Sequence, residues 1–241
     1  MSGPLETALV LGRPVRYRVR RSPRARRIGV QVSRREGVVV VLPRRAPRRE
    51  IARVLDRWAA WIDMQVEKHG VRHGPRRVEL TTGSPLLFLG EPRTLRLEAL
   101  PAGRARTRAE LGEDSLVLQL PAAQVLEPRP ALQRWLRREA RRELEIRTAH
   151  WAEALDLRPV RIVVGERTSR WGSCSRRGTL SFCYRLVMAP PRVIDAVVAH
   201  EVCHLAHLDH SPRFWTLLDG ACPWHRDAYV WLNDHEDELA L

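Results

Sequence analysis

The run Ala199-His200-Glu201-Val202-Cys203-His204 is the stretch that most limits what this chain can fold into. Pro190-Pro191 gives a helix start, since proline suits a first turn whose N–H has no partner anyway. Val193, Ile194, Val197, Val198, Val202 and Leu205 then recur at three- and four-residue spacing, the pattern of a helix buried on most of its circumference. A buried polar group left unpaired costs roughly 1–3 kcal/mol. His200, Glu201 and His204 on such a helix therefore need a reason, and a shared metal ion supplies one.

Residues four apart on a helix lie about 6 Å apart along its axis on one face, so the two imidazoles can close on a single ion. Glu201 then stands beside the pair, where it can act as a general base toward a water; this is the physical content of H-E-x-x-H in zincins. The third ligand is to be found between His207 and His210. His207 shares the face but sits roughly 7–8 Å along the axis from the midpoint of the first pair. His210 follows Asp209 and precedes Ser211-Pro212, where the pre-proline restriction helps the chain leave the helix and turn back. The expected ligands are thus His200, His204 and His210, with Ser211 expected to cap a following helix that runs to about Leu218. The spacing to His210 is that of metzincins, but His207 occupies their glycine and no Met-turn follows.

The chain has 241 residues, 44% of them hydrophobic, enough for one large domain or two small ones. No apolar run reaches a membrane span, and residues 1–6 lack the basic and apolar parts of a secretory signal, so a cytoplasmic protein without membrane partners is expected. Cys174, Cys183, Cys203 and Cys222 show no C-x-x-C pair and are expected as free thiols.

The net charge is +14, with 41 arginines to one lysine, Lys68. Residues 187–241 are acidic, at −6, leaving +20 on residues 1–186, so nucleic acid or nucleotide binding is expected from the N-terminal part if anywhere. Residues 9–43 read as strands: Val15–Val19 and Ile28–Val32 alternate, and Val38–Leu42 is a continuous apolar run. Arg20–Arg27 reads as a basic hairpin loop between them. One helix is expected over about 47–68, with Trp58 and Trp61 in its core stripe and Gly70 as its stop. Short strands follow over 78–120, then a long helix from Pro128 to about Leu157 whose arginines form either a solvated, Glu-paired face or a cationic wall beside a cleft. Val160–Val164 and Thr179–Val187 read as strands flanking Ser169–Ser175, and a substrate could add there as a further strand. His225 and His235 have no evident partner. The fold expected is α+β: a β-rich basic region over 1–125, then a zincin-like domain over 126–241 with its active-site helix packed on a small sheet.

Arg170-Trp171-Gly172-Ser173-Cys174-Ser175, Ala189-Pro190, the His200–His204 motif and His210-Ser211-Pro212-x-Phe214-Trp215 together resemble the YgjP-like metallopeptidase family, which is grouped with SprT-like and other minigluzincin-type zincins. The resemblance covers nearly the whole chain. It implies a hydrolase holding one Zn²⁺ on His200, His204 and His210, with Glu201 as base and a peptide or protein as substrate. Cys183 and Ala196 depart from the family's usual small polar residue and tyrosine. Arg170, Tyr184, Arg185 and His207 are the candidates for transition-state or substrate contacts. A metal-dependent nucleotide phosphohydrolase using the arginines, and a nucleic-acid-binding protein with a structural metal, are the alternative functions.

Overall fold

In the computed structural model, residues 4–33, 36–75, 79–101, 103–167 and 170–239 are described; Ser169 of the motif above lies outside them. The fold is α+β, and contacts divide the chain into a first unit running to Val78 and a second, Glu79–Leu239. The change in sequence character suggested a division near residue 125; by contacts, the strands between 79 and 120 go with the C-terminal helices.

The first unit is a four-stranded sheet of β1 (Leu5–Val10), β2 (Arg13–Ser22), β3 (Gly29–Ser33) and β4 (Gly37–Pro43), in the order β1-β2-β4-β3. Alternation puts Val15, Tyr17, Val19, Val38, Val40 and Leu42 on one face. Ile51 and Leu55 of α1 (Glu50–Arg57) and Ile62 and Val66 of α2 (Ala59–His69) complete that core. β2 and β4 are parallel neighbours, so Arg20–Arg27 does not close a hairpin; it carries the chain past β4 to β3. β1 also escapes the sequence pattern, because it is mostly half-exposed. The single expected helix bends at Trp58 (φ −102°, ψ 14°), while the bonds Trp58 N–H to Val54 O (3.1 Å) and Ile62 N–H to Trp58 O (2.8 Å) persist across the bend. Trp58 is 48% exposed rather than core, its ring set edge-on to Trp61. Gly70, left-handed at φ 62°, ends α2 as expected.

The second unit opens with the same plan. β5 (Pro85–Phe88), β6 (Glu91–Ala99), β7 (Arg108–Leu111) and β8 (Ser115–Leu120) pair in the order β5-β6-β8-β7, with the same alternation of antiparallel and parallel neighbours. Helices α3 (Ala122–Val125) and α4 (Arg129–Ala154) follow. The correspondence holds at a constant offset of 78 residues: Leu11-Gly12-Arg13-Pro14 matches Leu89-Gly90-Glu91-Pro92, and Val38 to Pro43 matches Leu116 to Pro121. Both turns place Leu and Gly at positive φ, at 50° and 75° in the first copy and 52° and 80° in the second. The chain thus contains a repeated ββββα module, which the few shared side chains hide in the sequence.

The two turns differ in what they touch. A Cβ on Gly12 would meet nothing within 4 Å, whereas one on Gly90 would lie 2.7 Å from the Pro190 Cα. The second turn is also hydrogen-bonded: Leu89 N–H donates to Val187 O (2.9 Å) and Gly90 N–H to Met188 O (3.0 Å). Gly90→Ala combines a strained left-handed residue with an overpacked contact, and should lower stability by about 2–4 kcal/mol, against about 1–2 kcal/mol for Gly12→Ala. Urea unfolding of the two variants checks this, and equal losses would refute the role given to the Gly90 contact.

The rest of the second unit is a small sheet and three helices. β9 (Arg161–Gly165), β10 (Gly172–Cys174) and β11 (Thr179–Cys183) pair in the order β10-β11-β9, leaving β10 at an edge. The strand expected to reach Val187 stops at Cys183 and passes into a buried 3₁₀ turn, Tyr184–Met188. Then come α5 (Pro191–Cys203), α6 (Pro212–Ala221) and α7 (His225–Asp234). The arginines of α4 are largely paired: Arg138 with Glu139 (3.0 Å), Arg141 with Glu145 (2.9 Å), Arg137 with Glu166 (3.6 Å), and Arg147 with Asp195 of α5 (2.7 Å). The solvated, paired face thus describes α4 better than a cationic wall.

Candidate metal centre

α5 carries ten buried residues out of thirteen, and among them are His200 and Glu201, as the apolar periodicity required. His204 stands at the C-cap with helical angles (φ −66°, ψ −15°), so the four-residue spacing survives the helix end. The chain then turns, and α6 brings Phe214 beneath the histidines. Phe214 is fully buried; its ring stacks on His204 (centroids 4.5 Å) and meets His200 and His210 edge-on, both at 4.9 Å. Trp215 stacks on His210 at 5.5 Å. Ser211 occupies the N-cap of α6 without a capping side-chain bond; the Asp209 carboxylate accepts its N–H instead, at 3.4 Å, and α6 runs on to Ala221.

These contacts bring three nitrogens together. His204 Nε2 lies 3.1 Å and His210 Nε2 3.2 Å from His200 Nε2. Three ligands each about 2.0–2.1 Å from one tetrahedral ion would sit roughly 3.3 Å apart, so the cluster fits a single ion. The tautomer supports the same fit. His204 Nδ1–H donates to the His207 carbonyl at 2.9 Å, leaving the Nε2 lone pair to face the cluster. His207 therefore stands at the centre through its backbone carbonyl, whereas His200, His204 and His210 form the one group with metal-ligand geometry found among the described residues.

Electrostatics follow burial. Burial, with His204, His210 and His225 nearby, pushes the His200 imidazole down to about 3, which keeps it neutral and able to ligate. Burial pushes the Glu201 carboxyl up to about 8, against the pull of the Arg170 guanidinium. Glu201 Oε2 is buried without a hydrogen-bond partner among the described residues. The edge strand β10 presses on it: a Cβ on Gly172 would lie 2.6 Å from Glu201 Oε1, so only glycine lets the strand pass this close.

The remaining expected contacts separate. Arg170 acts on Glu201 electrostatically. Arg185 is spent on structure, donating to Arg167 O at 2.8 Å with its guanidinium over the Trp171 ring. Tyr184 is 1% exposed under the Arg137 guanidinium, 4.8 Å away. Sequence reasoning missed Tyr229 of α7, whose ring lies 5.6 Å from His200; burial, then the Glu201 carboxylate and Cys222, push its phenol above the ordinary range. Tyr229 lines a cavity of about 410 Å³ together with Trp215, His225 and Arg226. His225 and His235 do have partners: His225 Nε2 meets Asp219 Oδ1 at 2.8 Å and its ring stacks on Trp215, and His235 stacks on Trp231 at 4.1 Å. Neither was legible, because the partners meet only when α6 and α7 fold together or lie along one helix without a charge signature. The four cysteines are free, three of them buried.

A family model described as "YgjP-like, metallopeptidase domain" matches residues 26–235. The chain belongs to this family. A YgjP-like metallopeptidase domain is a metal-dependent hydrolase, and the family implies a divalent metal and peptide or protein substrates. Among solved structures, the metallopeptidase zymogen of Pyrococcus abyssi abylysin is similar over 32% of this chain and 76% of its own, at 18% identity and a TM-score of 0.30. No curated protein matches the chain.

Proposed function

We propose that this YgjP-like chain is a zinc-dependent peptidase in which His200, His204 and His210 hold the ion and Glu201 is the general base. The observation that carries this reading is the unpartnered Glu201 Oε2 beside three converging Nε2 atoms. A purely structural ion needs no buried carboxylate at its side. All-nitrogen, imidazole coordination suits zinc. Bound there, the ion supplies Lewis acidity to a carbonyl and to a water.

The chain's own groups do the rest. Glu201 accepts the proton of the attacking water and passes it to the leaving amine, so it returns to its starting state. The positive charge of a bound ion would hold Glu201 ionised, and the burial that pushes its carboxyl up to about 8 in the ion-free site makes that carboxylate a stronger base than a solvated one. β10 lies at the edge of its sheet against Glu201, and an extended peptide pairing with that edge would bring its carbonyls past the carboxylate. The ~410 Å³ cavity at Trp215 and Tyr229 can take an apolar side chain. The Tyr229 hydroxyl makes no hydrogen bond among the described residues, which leaves it available as a donor to the developing oxyanion. Tyr229→Phe should lower kcat by about 10²-fold with KM nearly unchanged. An equal rise in KM at constant kcat would assign Tyr229 to ground-state binding instead.

The function itself is tested by offering the zinc-loaded protein a denatured protein mixture and, in parallel, nucleoside triphosphates. New amino termini that fail to appear with Glu201→Gln support the peptidase. Release of phosphate or pyrophosphate without peptide cleavage would overturn it in favour of a phosphohydrolase.

A further inference from the structure

The net charge of +14 resides entirely in the first unit. Residues 1–78 hold 20 Arg and Lys against 6 Asp and Glu, whereas residues 79–241 hold 22 of each. Both halves prefer arginine to lysine, so a general arginine bias of the chain does not account for the difference. The second unit balances its arginines with carboxylates and the first does not.

The topology gathers part of this excess at one place. β2 and β4 run parallel, with Ser22 opposite Pro43, so the segments that follow them leave the same end of the sheet side by side. One carries Arg24, Arg26 and Arg27, the other Arg44, Arg45 and Arg49, and all six are exposed. Arg21 ties the second segment down: its Nη1 donates to the carbonyls of Pro43 (3.3 Å), Arg44 (2.7 Å) and Ala46 (3.1 Å). None of the six guanidinium groups pairs with a carboxylate among the described residues. Acids of the adjoining elements are engaged elsewhere, Glu6 with Arg48 and Glu50 with Arg53. Six like charges on adjoining segments repel one another, and a polyanion relieves that repulsion.

We propose that these two segments form a binding site for nucleic acid, engaged through its phosphate backbone. Guanidinium forks match phosphate oxygens in pairs, and a row of phosphates uses all six. Such contacts position the strand without reading its sequence. An anionic bilayer fits less well. The exposed large apolar side chains of the first unit are Leu9, Leu11, Trp58 and Met64, none in the two segments, so nothing there would insert into lipid. Leu9 and Leu11 flank the turn at the opposite end of β2.

The test uses the full-length protein and fluorescent oligonucleotides, duplex DNA and single-stranded RNA, with anisotropy read between about 50 and 200 mM salt. Six phosphate contacts give a log–log salt slope of about −5 on the duplex and roughly a 10³-fold loss of affinity across that range. Arg24→Gln/Arg26→Gln/Arg27→Gln and Arg44→Gln/Arg45→Gln/Arg49→Gln should each flatten the slope by about 3. The control Arg104→Gln/Arg106→Gln/Arg108→Gln removes three exposed arginines of the second unit and should leave it unchanged. Circular dichroism and thermal melts verify that each variant folds. An equal effect of the control, binding indifferent to salt, or binding to phosphatidylserine vesicles without binding to either oligonucleotide would each overturn the proposal. Glu201→Gln should bind the oligonucleotides as the wild type does, which separates this site from the hydrolytic one.

Discussion

Glu201→Gln is expected to remove hydrolysis by about 10²–10⁴-fold while the protein keeps its metal and its fold. The side chain is 5% exposed and confined by Gly172, and glutamine has the same shape, so the packing against β10 is retained. What the amide lacks is the ability to take a proton from water. Replacing a carboxylate in this buried site by a neutral group also removes the desolvation cost of a charge, so the melting temperature should stay the same or rise. Turnover, zinc content and thermal unfolding measured on one preparation check the three parts together. Activity within about threefold of wild type, on a scale where general bases contribute 10² or more, would eliminate Glu201 as the base.

The second large effect concerns the ligand that lies beyond the helix. His210→Ala should weaken zinc binding by well over the roughly 10–100-fold that loss of an outer partner costs, because it deletes one of three converging nitrogens. His207→Ala should leave zinc content unchanged, since the contact His207 makes is its carbonyl, and alanine has the same carbonyl. Competition with a chromogenic chelator, read for both variants, distinguishes them. Loss of zinc from His207→Ala with retention in His210→Ala would reverse the assignment.

Much of this centre could be read along the chain because its parts are local. His200, Glu201 and His204 fall within five residues on a helix whose apolar period is strong, and the pre-proline turn after Asp209 brings the next histidine back. Tyr229 lies 28 residues beyond Glu201 in a segment that reads as an ordinary packing helix. Its place beside His200 depends on how α6 and α7 pack, and tertiary packing leaves no mark on spacing. Gly172 was visible as part of a motif, but its reason, the carboxylate 2.6 Å from where a Cβ would stand, exists only in the folded unit. Errors in the elements have local causes. Trp58 keeps the helical period on both sides of a bend, and the 3₁₀ turn after Cys183 is as apolar as the strand it replaces. The α+β class was legible from the change of period alone, whereas the connection of β2 to β3 past β4 was not, because parallel pairing with a non-neighbour has no sequence signature.

The repeated module gives the chain two versions of one scaffold under unequal constraint. In the second, the Leu89-Gly90 turn is hydrogen-bonded to the backbone that leads into α5 and packs on Pro190, so a shift of that turn would be passed to the helix that carries His200. In the first, a side chain at Gly12 of the matching turn would meet nothing within 4 Å among the described residues, so no such contact constrains it. One scaffold thus serves two ends within a single chain: the second copy braces the backbone that leads into the helix of the histidines, and the first carries the whole of the net charge of +14.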